Sequence, residues 1–195
     1  MGNTTISLGE VRQDLVRAHN QAIAALSKPG TWWTGAQRRE LAITAQLAIC
    51  ELEPVAPWVG VSNIANKLPA SLTAPKIAHD AIYRISRHAA TLTREWYEKV
   101  TAEINPLAFV ELCGVACAIT PVMAFRRSLG LPALEVGPAD SGQPSNKEPD
   151  NIVAAQLNWV PVVGPADKDA AVVQAFTAVP TSAGLTRPRV TWRPG

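Results

Sequence analysis

Three cysteines and three histidines, with carboxylates near some of them, are the side chains in this sequence whose types and spacing could do chemistry. Cys50 stands in AICELEPVAPW (residues 48–58), at the end of an Ala- and Leu-rich run. A thiol there could serve as a nucleophile or redox centre, and both roles need the thiolate. Its surroundings oppose that form. Glu51 and Glu53 follow it, nearby carboxylates disfavour another negative charge, and a helix C-terminus adds partial negative charge of its own. A buried or half-buried structural cysteine is therefore expected. Cys113 and Cys117 form C-x-x-x-C. Four apart on a helix they share a face, but rigid helix geometry does not align the sulfurs for a disulfide, so they read as core fillers.

The histidines fare no better as ligands. His79 and His88 lie nine apart with no second ligand at helical spacing, so no metal or other cofactor is expected. His79 beside Asp80 and His88 beside Arg87 read as surface or boundary residues, and His19, four after Leu15, as a boundary histidine. Neither a phosphate-cradling glycine loop nor a local Ser-His-Asp signature is present.

The elements that must position these residues are helices. Ser7 and Glu10 form a capping box before Leu8, Val11, Leu15, Ala18, Ala22 and Leu26 at helical spacing, which predicts a helix over 8–28 stopped by Lys28-Pro29-Gly30. Thr34 and Gln37 form a second capping box opening a helix over 35–50, with Trp32 and Trp33 placed as a hydrophobic staple. Pro54 and Pro57 forbid its continuation. Thr73-Ala74-Pro75 signals a third helix to about 89, with Ile77, Ala81, Ile82 and Ile85 as its buried stripe. A fourth is expected over 93–104, with Leu92, Trp96 and Val100 on one face. Asn105-Pro106 opens a fifth that is apolar nearly all round, which predicts a central buried helix, kinked at Pro121 and closed by Arg126, Arg127 and Gly130. Residues 131–151 read as a linker or surface-hugging loop, 168–179 as a short helix (Val172, Phe176, Val179), and the Arg187–Arg193 stretch as a solvated terminus.

Composition sets the wider frame. A chain of 195 residues, 47% apolar and 17% charged, is enough for one domain with a real core. A net charge of +2 gives no field suited to nucleic acid. The N-terminus lacks a secretory pattern, Ile6 spoils a myristoylation motif at Gly2, and no apolar run reaches the roughly 20 residues that span a bilayer. No membrane partner is expected. An odd number of cysteines fits a reducing cytoplasm.

The run TREWYEKVTAEINPLAFVELCGVACAITPVMAFRRSLGLP (93–132), with GAQRRELAITAQLA (35–48), resembles the carboxymuconolactone decarboxylase-like family, which includes the alkylhydroperoxidase D type of thiol peroxidase. The likeness lies in a short helix with Trp96 and Tyr97, the VEL at 110–112, and a long apolar helix ending in an aromatic, basic residues and LGLP. It implies an all-α, alkylhydroperoxidase D-like helical bundle over residues 1–132, with an irregular extension over 133–195 in which WVPVV and AAVVQAFTAVPTS look like the opening of an incomplete second unit. Peroxidases of the family use C-x-x-C-x-x-x-H with a glutamate about three turns upstream. Anchored on Cys50, the motif meets Glu53 and Pro57; anchored on Glu40 as the upstream glutamate, it meets Leu52, Val55 and Val59. The resemblance therefore implies a peroxidase-related, homo-oligomeric protein that lacks the dithiol redox centre and serves as a structural or accessory unit. Its alternative is a weak single-cysteine antioxidant peroxidase reducing alkyl hydroperoxides through Cys50, with Glu40 as proton relay and an external thiol reductant as resolver. A lactone decarboxylase or ligand pocket built on His79 or His88 is the third reading.

Overall fold

The computed structural model describes residues 11–51, 71–149, 152–153 and 159–163. The Ser7–Glu10 capping box, the Pro54 and Pro57 break, the helix over 168–179 and the arginine-bearing terminus lie outside these residues. The described residues include five α-helices, α1 (Gln13–Leu26), α2 (Gly35–Cys50), α3 (Lys76–His88), α4 (Arg94–Thr101) and α5 (Pro106–Ser128), with a single 3-10 turn at Ala89–Thr91. The all-α class is thus the observed one. The ladder among the described residues is a two-residue antiparallel contact, β1 (Ile152–Val153) with β2 (Val162–Val163), in the register Ile152 to Val163.

Local capping explains the starts of α2, α4 and α5. Thr34 accepts the amide of Gln37 while the Gln37 side chain accepts that of Thr34, both halves of the expected capping box. Thr93 accepts the amide of Trp96, and Asn105 that of Leu107 with Pro106 in the first turn. The first helix begins later than expected, at Gln13, because Val11 and Arg12 are already non-helical.

Long-range bonds fix the topology. Trp33 and Arg38 at the start of α2 meet Ala108 and Glu111 at the start of α5, while Arg127 at the end of α5 reaches the Ile49 carbonyl at the end of α2. These two helices therefore run parallel. By the same reasoning α3 is parallel to α2: Thr73, just before it, bonds Glu40, and Tyr83 and Arg87, towards its end, bond Glu51 and the Ile49 carbonyl. The short α4 brings the chain back, its Trp96 and Tyr97 set edge-on against Phe109. α1 runs the opposite way, with His19 edge-on to Phe125 and Leu26 buried near the start of α2.

Alanines at the contact faces let the parallel helices approach closely: Ala42, Ala45 and Ala48 on α2, Ala78 and Ala81 on α3, Ala108 and Ala116 on α5, around Leu41, Ile82, Leu112 and Ile119. Gly35 has no side chain for the same reason, since a Cβ there would come within 2.3 Å of the Ser27 carbonyl and 2.7 Å of the Asp140 carbonyl.

Two expectations about buried faces need correction. In α1 the residues turned inward are Val16, His19, Ala22, Ile23 and Leu26, so Ala22 and Leu26 of the expected stripe face the core while Leu15 and Ala18 are exposed. In α5 only one face is buried, through Ala108, Phe109, Leu112, Val115, Ala116, Ile119, Val122 and Met123. Val110 (39% exposed), Gly114, Cys117, Pro121 and Ala124 face outward, so the helix is not central. Composition that is apolar all round cannot say which half a neighbour covers. This helix of 23 residues, whose most apolar 18-residue window has a mean hydropathy of 2.0, does have the length and composition to cross a membrane, despite Glu111, and 44% of that window is buried inside the protein.

The stretch after α5 hugs the surface. Arg126 bonds the Pro132 carbonyl, Val136 joins the core, Arg39 bonds the carbonyls of Val136 and Gly137, and the amides of Asp140 and Asn146 bond Ser27 and Thr31.

Candidate functional site

Glu40 and Cys50 are on the same helix but not at the same place. Their separation of ten positions corresponds to about 15 Å along the axis, beyond any direct proton transfer. Glu40, on the second turn of α2, is occupied elsewhere. Its Oε1 accepts the Thr73 amide at 3.1 Å and the Thr73 hydroxyl at 3.0 Å, and its Oε2 accepts the Thr73 and Ala74 amides at 3.0 and 3.1 Å. Gln37, one turn earlier, donates to the Thr73 carbonyl at 3.0 Å. One face of α2 thus holds the chain that leads into α3, whose N-cap Pro75 provides no side-chain bond.

Behind that carboxylate lies a polar cluster. The His79 Nε2 is 3.6 Å from Glu40 Oε2, and its Nδ1 is 2.8 Å from Thr44 Oγ1, which also lies 3.0 Å from the Glu40 carbonyl. Thr44 and His79 are each 1% exposed. The expectation that His79 is a surface or boundary residue is therefore wrong: the middle of α3, Ala78 to Arg84, is buried on all sides, and Asp80 is buried too, paired with Arg84 at 3.1 Å one turn on. Burial pushes the His79 proton affinity below the ordinary imidazole value, while the nearby Glu40 carboxylate pushes it up. A hydroxyl, an imidazole and a carboxylate in sequence are the groups of acyl-transfer chemistry. Sealed from solvent, this hydroxyl can meet no substrate. The cluster can hold and share a proton.

Cys50, the last residue of α2, is exposed, contrary to the buried or half-buried position expected. The charge around it also differs from the local sequence. Glu51 accepts the Tyr83 hydroxyl at 2.6 Å, and Arg87 from α3 and Arg127 from α5 both donate to the Ile49 carbonyl, at 3.4 and 3.2 Å. Two guanidiniums that sequence neighbours could not reveal thus converge on the helix end that carries the thiol. Cys117 is exposed as well, so it fills no core; Cys113 is half-buried, and burial, then the charge of Cys117, push its thiol up to about 11. His88 is half-buried, as a boundary residue should be.

A second feature escaped sequence reasoning altogether. A cleft of about 220 Å³ opens between the start of α5 and the C-terminal extension, walled by Trp32, Leu107, Val110, Ile152 and Pro161, with Glu111 and Lys147 as its charged residues. Glu111 is committed to the fold: Oε2 accepts the Trp32 amide at 2.6 Å and Oε1 faces Arg38 Nε at 3.3 Å. Among the described residues no three of His, Cys, Asp and Glu converge as a metal ion would need.

Fold and cluster together define the class: an all-α protein of three parallel helices, with one antiparallel helix, one short return helix and a hydroxyl–imidazole–carboxylate group at the α2–α3 joint whose hydroxyl and imidazole are buried. No protein-family model, no curated protein and no solved structure matches the chain.

Proposed function

We propose that this chain is a peroxidase-related, alkylhydroperoxidase D-like helical protein that lacks the dithiol redox centre and acts as a structural or accessory unit, in the cytoplasm and together with further copies of itself. The observation that carries this reading is the commitment of Glu40. The carboxylate that a peroxidase would use for proton relay is instead tied to the Thr73 and Ala74 amides. Three unpaired cysteines support a reducing compartment, and the uncharged outer face of α5 supports self-association. The test is hydroperoxide consumption with a dithiol reductant, run beside Cys50→Ser. Turnover no faster than free cysteine, unchanged in the variant, is the expected result.

One observation favours a second reading, the single-cysteine peroxidase. Cys50 is exposed and shares its helix end with Arg87 and Arg127. In that chemistry the thiolate attacks the peroxide O–O bond, alcohol leaves, and an external thiol reduces the sulfenic acid formed. Turnover well above that of free thiol, abolished in Cys50→Ser, would put this reading first.

A further inference from the structure

Thr44 has one hydroxyl proton and two neighbours able to take it, the Glu40 carbonyl at 3.0 Å and His79 Nδ1 at 2.8 Å. A neutral ring with Nδ1 protonated would aim the bare Nε2 at the Glu40 carboxylate, lone pair against negative charge. The neutral ring therefore carries its proton on Nε2, and the Thr44 hydroxyl donates to Nδ1. When a second proton arrives on Nδ1, that N–H donates to Thr44 Oγ1 and the hydroxyl turns to the Glu40 carbonyl. A single hydroxyl rotation lets a buried ring take up a proton with every polar atom of Thr44 still bonded.

The other ring nitrogen has no such partner. At 3.6 Å, Nε2 is beyond hydrogen-bond distance of Oε2, and it is buried without a partner. A charged ring attracts that oxygen, which is the one held by the Ala74 amide at 3.1 Å. We propose that Thr44, His79 and Glu40 form a proton-operated latch on the chain leading into α3: neutral His79 leaves the carboxylate on Thr73 and Ala74, and protonated His79 draws Oε2 to Nε2 and releases Ala74. Among the described residues, α2 contributes the Glu40 charge beside the ring; on α3 itself Asp80 and Arg84 pair with each other; α5 has no charged residue between Glu111 and Arg126; and the charged residues of α4 are exposed. Burial sets the operating range below the ordinary imidazole value of 6.5.

The test follows the His79 ring resonances and the exchange of the Thr73 and Ala74 amides in the full chain from about pH 7.5 to about pH 5, corrected for intrinsic exchange, with the Ala45 amide as reference. Protection of Ala74 should fall by about tenfold at the midpoint of the ring, with Ala45 unaffected. Protection that stays flat while the ring titrates, or falls only at a carboxylate midpoint, overturns the latch. In His79→Gln, which cannot take the proton, the step should vanish; its persistence overturns the proposal. Should that variant not fold, Thr44→Val decides: without the hydroxyl to accept the Nδ1 proton the ring midpoint must move to lower pH, and an unchanged midpoint counts against the mechanism.

Discussion

Trp33 donates its indole N–H to the backbone carbonyl of Ala108 at 2.9 Å, tying the turn before α2 to the first turn of α5. The two residues are 75 apart in sequence, and the ring is almost wholly buried. The bond holds the parallel helices in register at one end, as the Arg127–Ile49 bond does at the other. Replacing Trp33 by Phe keeps most of the apolar contact and removes the donor, so a loss of about 1–2 kcal/mol is expected in urea unfolding. Trp33→Ala adds a cavity and should cost about 3–5 kcal/mol. Equal effects of the two changes would show that the indole N–H contributes nothing.

Gly30 and Glu111 offer a sharper test, because neither tolerates a change in the other. A Cβ on residue 30 would stand 1.7 Å from Glu111 Oε1, and that carboxylate cannot step aside without leaving the Trp32 amide and Arg38. Gly30→Ala should therefore destabilise by about 2–4 kcal/mol, the range for breaking a part-buried charged contact. Glu111→Ala leaves the Trp32 amide and Arg38 Nε without their acceptor and should cost a similar amount. The double variant has no carboxylate left to displace, so its loss should fall well short of the sum. Strict additivity would mean that the two residues do not meet.

What was legible in the sequence was what neighbours in the chain decide. Thr34 with Gln37, Thr93 with Trp96 and Asn105 with Leu107 bond within three residues, and the helix starts they mark are where the sequence puts them. His79 was misread because periodicity assumes one buried face per helix, whereas the middle of α3 is covered all round. Glu40 could be picked out as a carboxylate with a role, but its partners are 33 and 34 residues away. Arg127, which shares its helix end with Cys50, bonds a carbonyl 78 residues distant, so the local run of glutamates misrepresented the charge there. A partial signal was present: Glu40 and Thr44 are polar residues four apart on an Ala- and Leu-rich helix, and Asp80 and Arg84 are four apart on the next.

The buried imidazole makes stability depend on pH with a definite sign. Burial lowers the His79 value in the folded protein below that in the unfolded chain, so on acidification the unfolded state takes up the proton first. The contribution of neutral His79 is fully present above the unfolded value of about 6.5 and is lost as the pH falls through the lower folded value. Urea midpoints should drop between about pH 7 and about pH 5.5 in the wild type and much less in His79→Gln. A wild-type midpoint constant over that interval would be incompatible with a depressed folded-state value.

The three thiols should separate by reactivity. Cys50 and Cys117 are exposed, whereas Cys113 is half-buried with its thiol pushed up to about 11. At pH 8 only about one Cys113 in a thousand is thiolate, the form that attacks a disulfide reagent. Native protein should therefore release two equivalents of chromophore from an aromatic disulfide reagent quickly and a third only slowly, with all three fast in denaturant. Cys50→Ser should remove one fast equivalent and, because the residue lies at an exposed helix end, change unfolding free energy by less than about 1 kcal/mol. If only one thiol reacts quickly and Cys50→Ser leaves that one in place, Cys50 is covered in solution, and a peroxidase role that needs an open thiol fails with it.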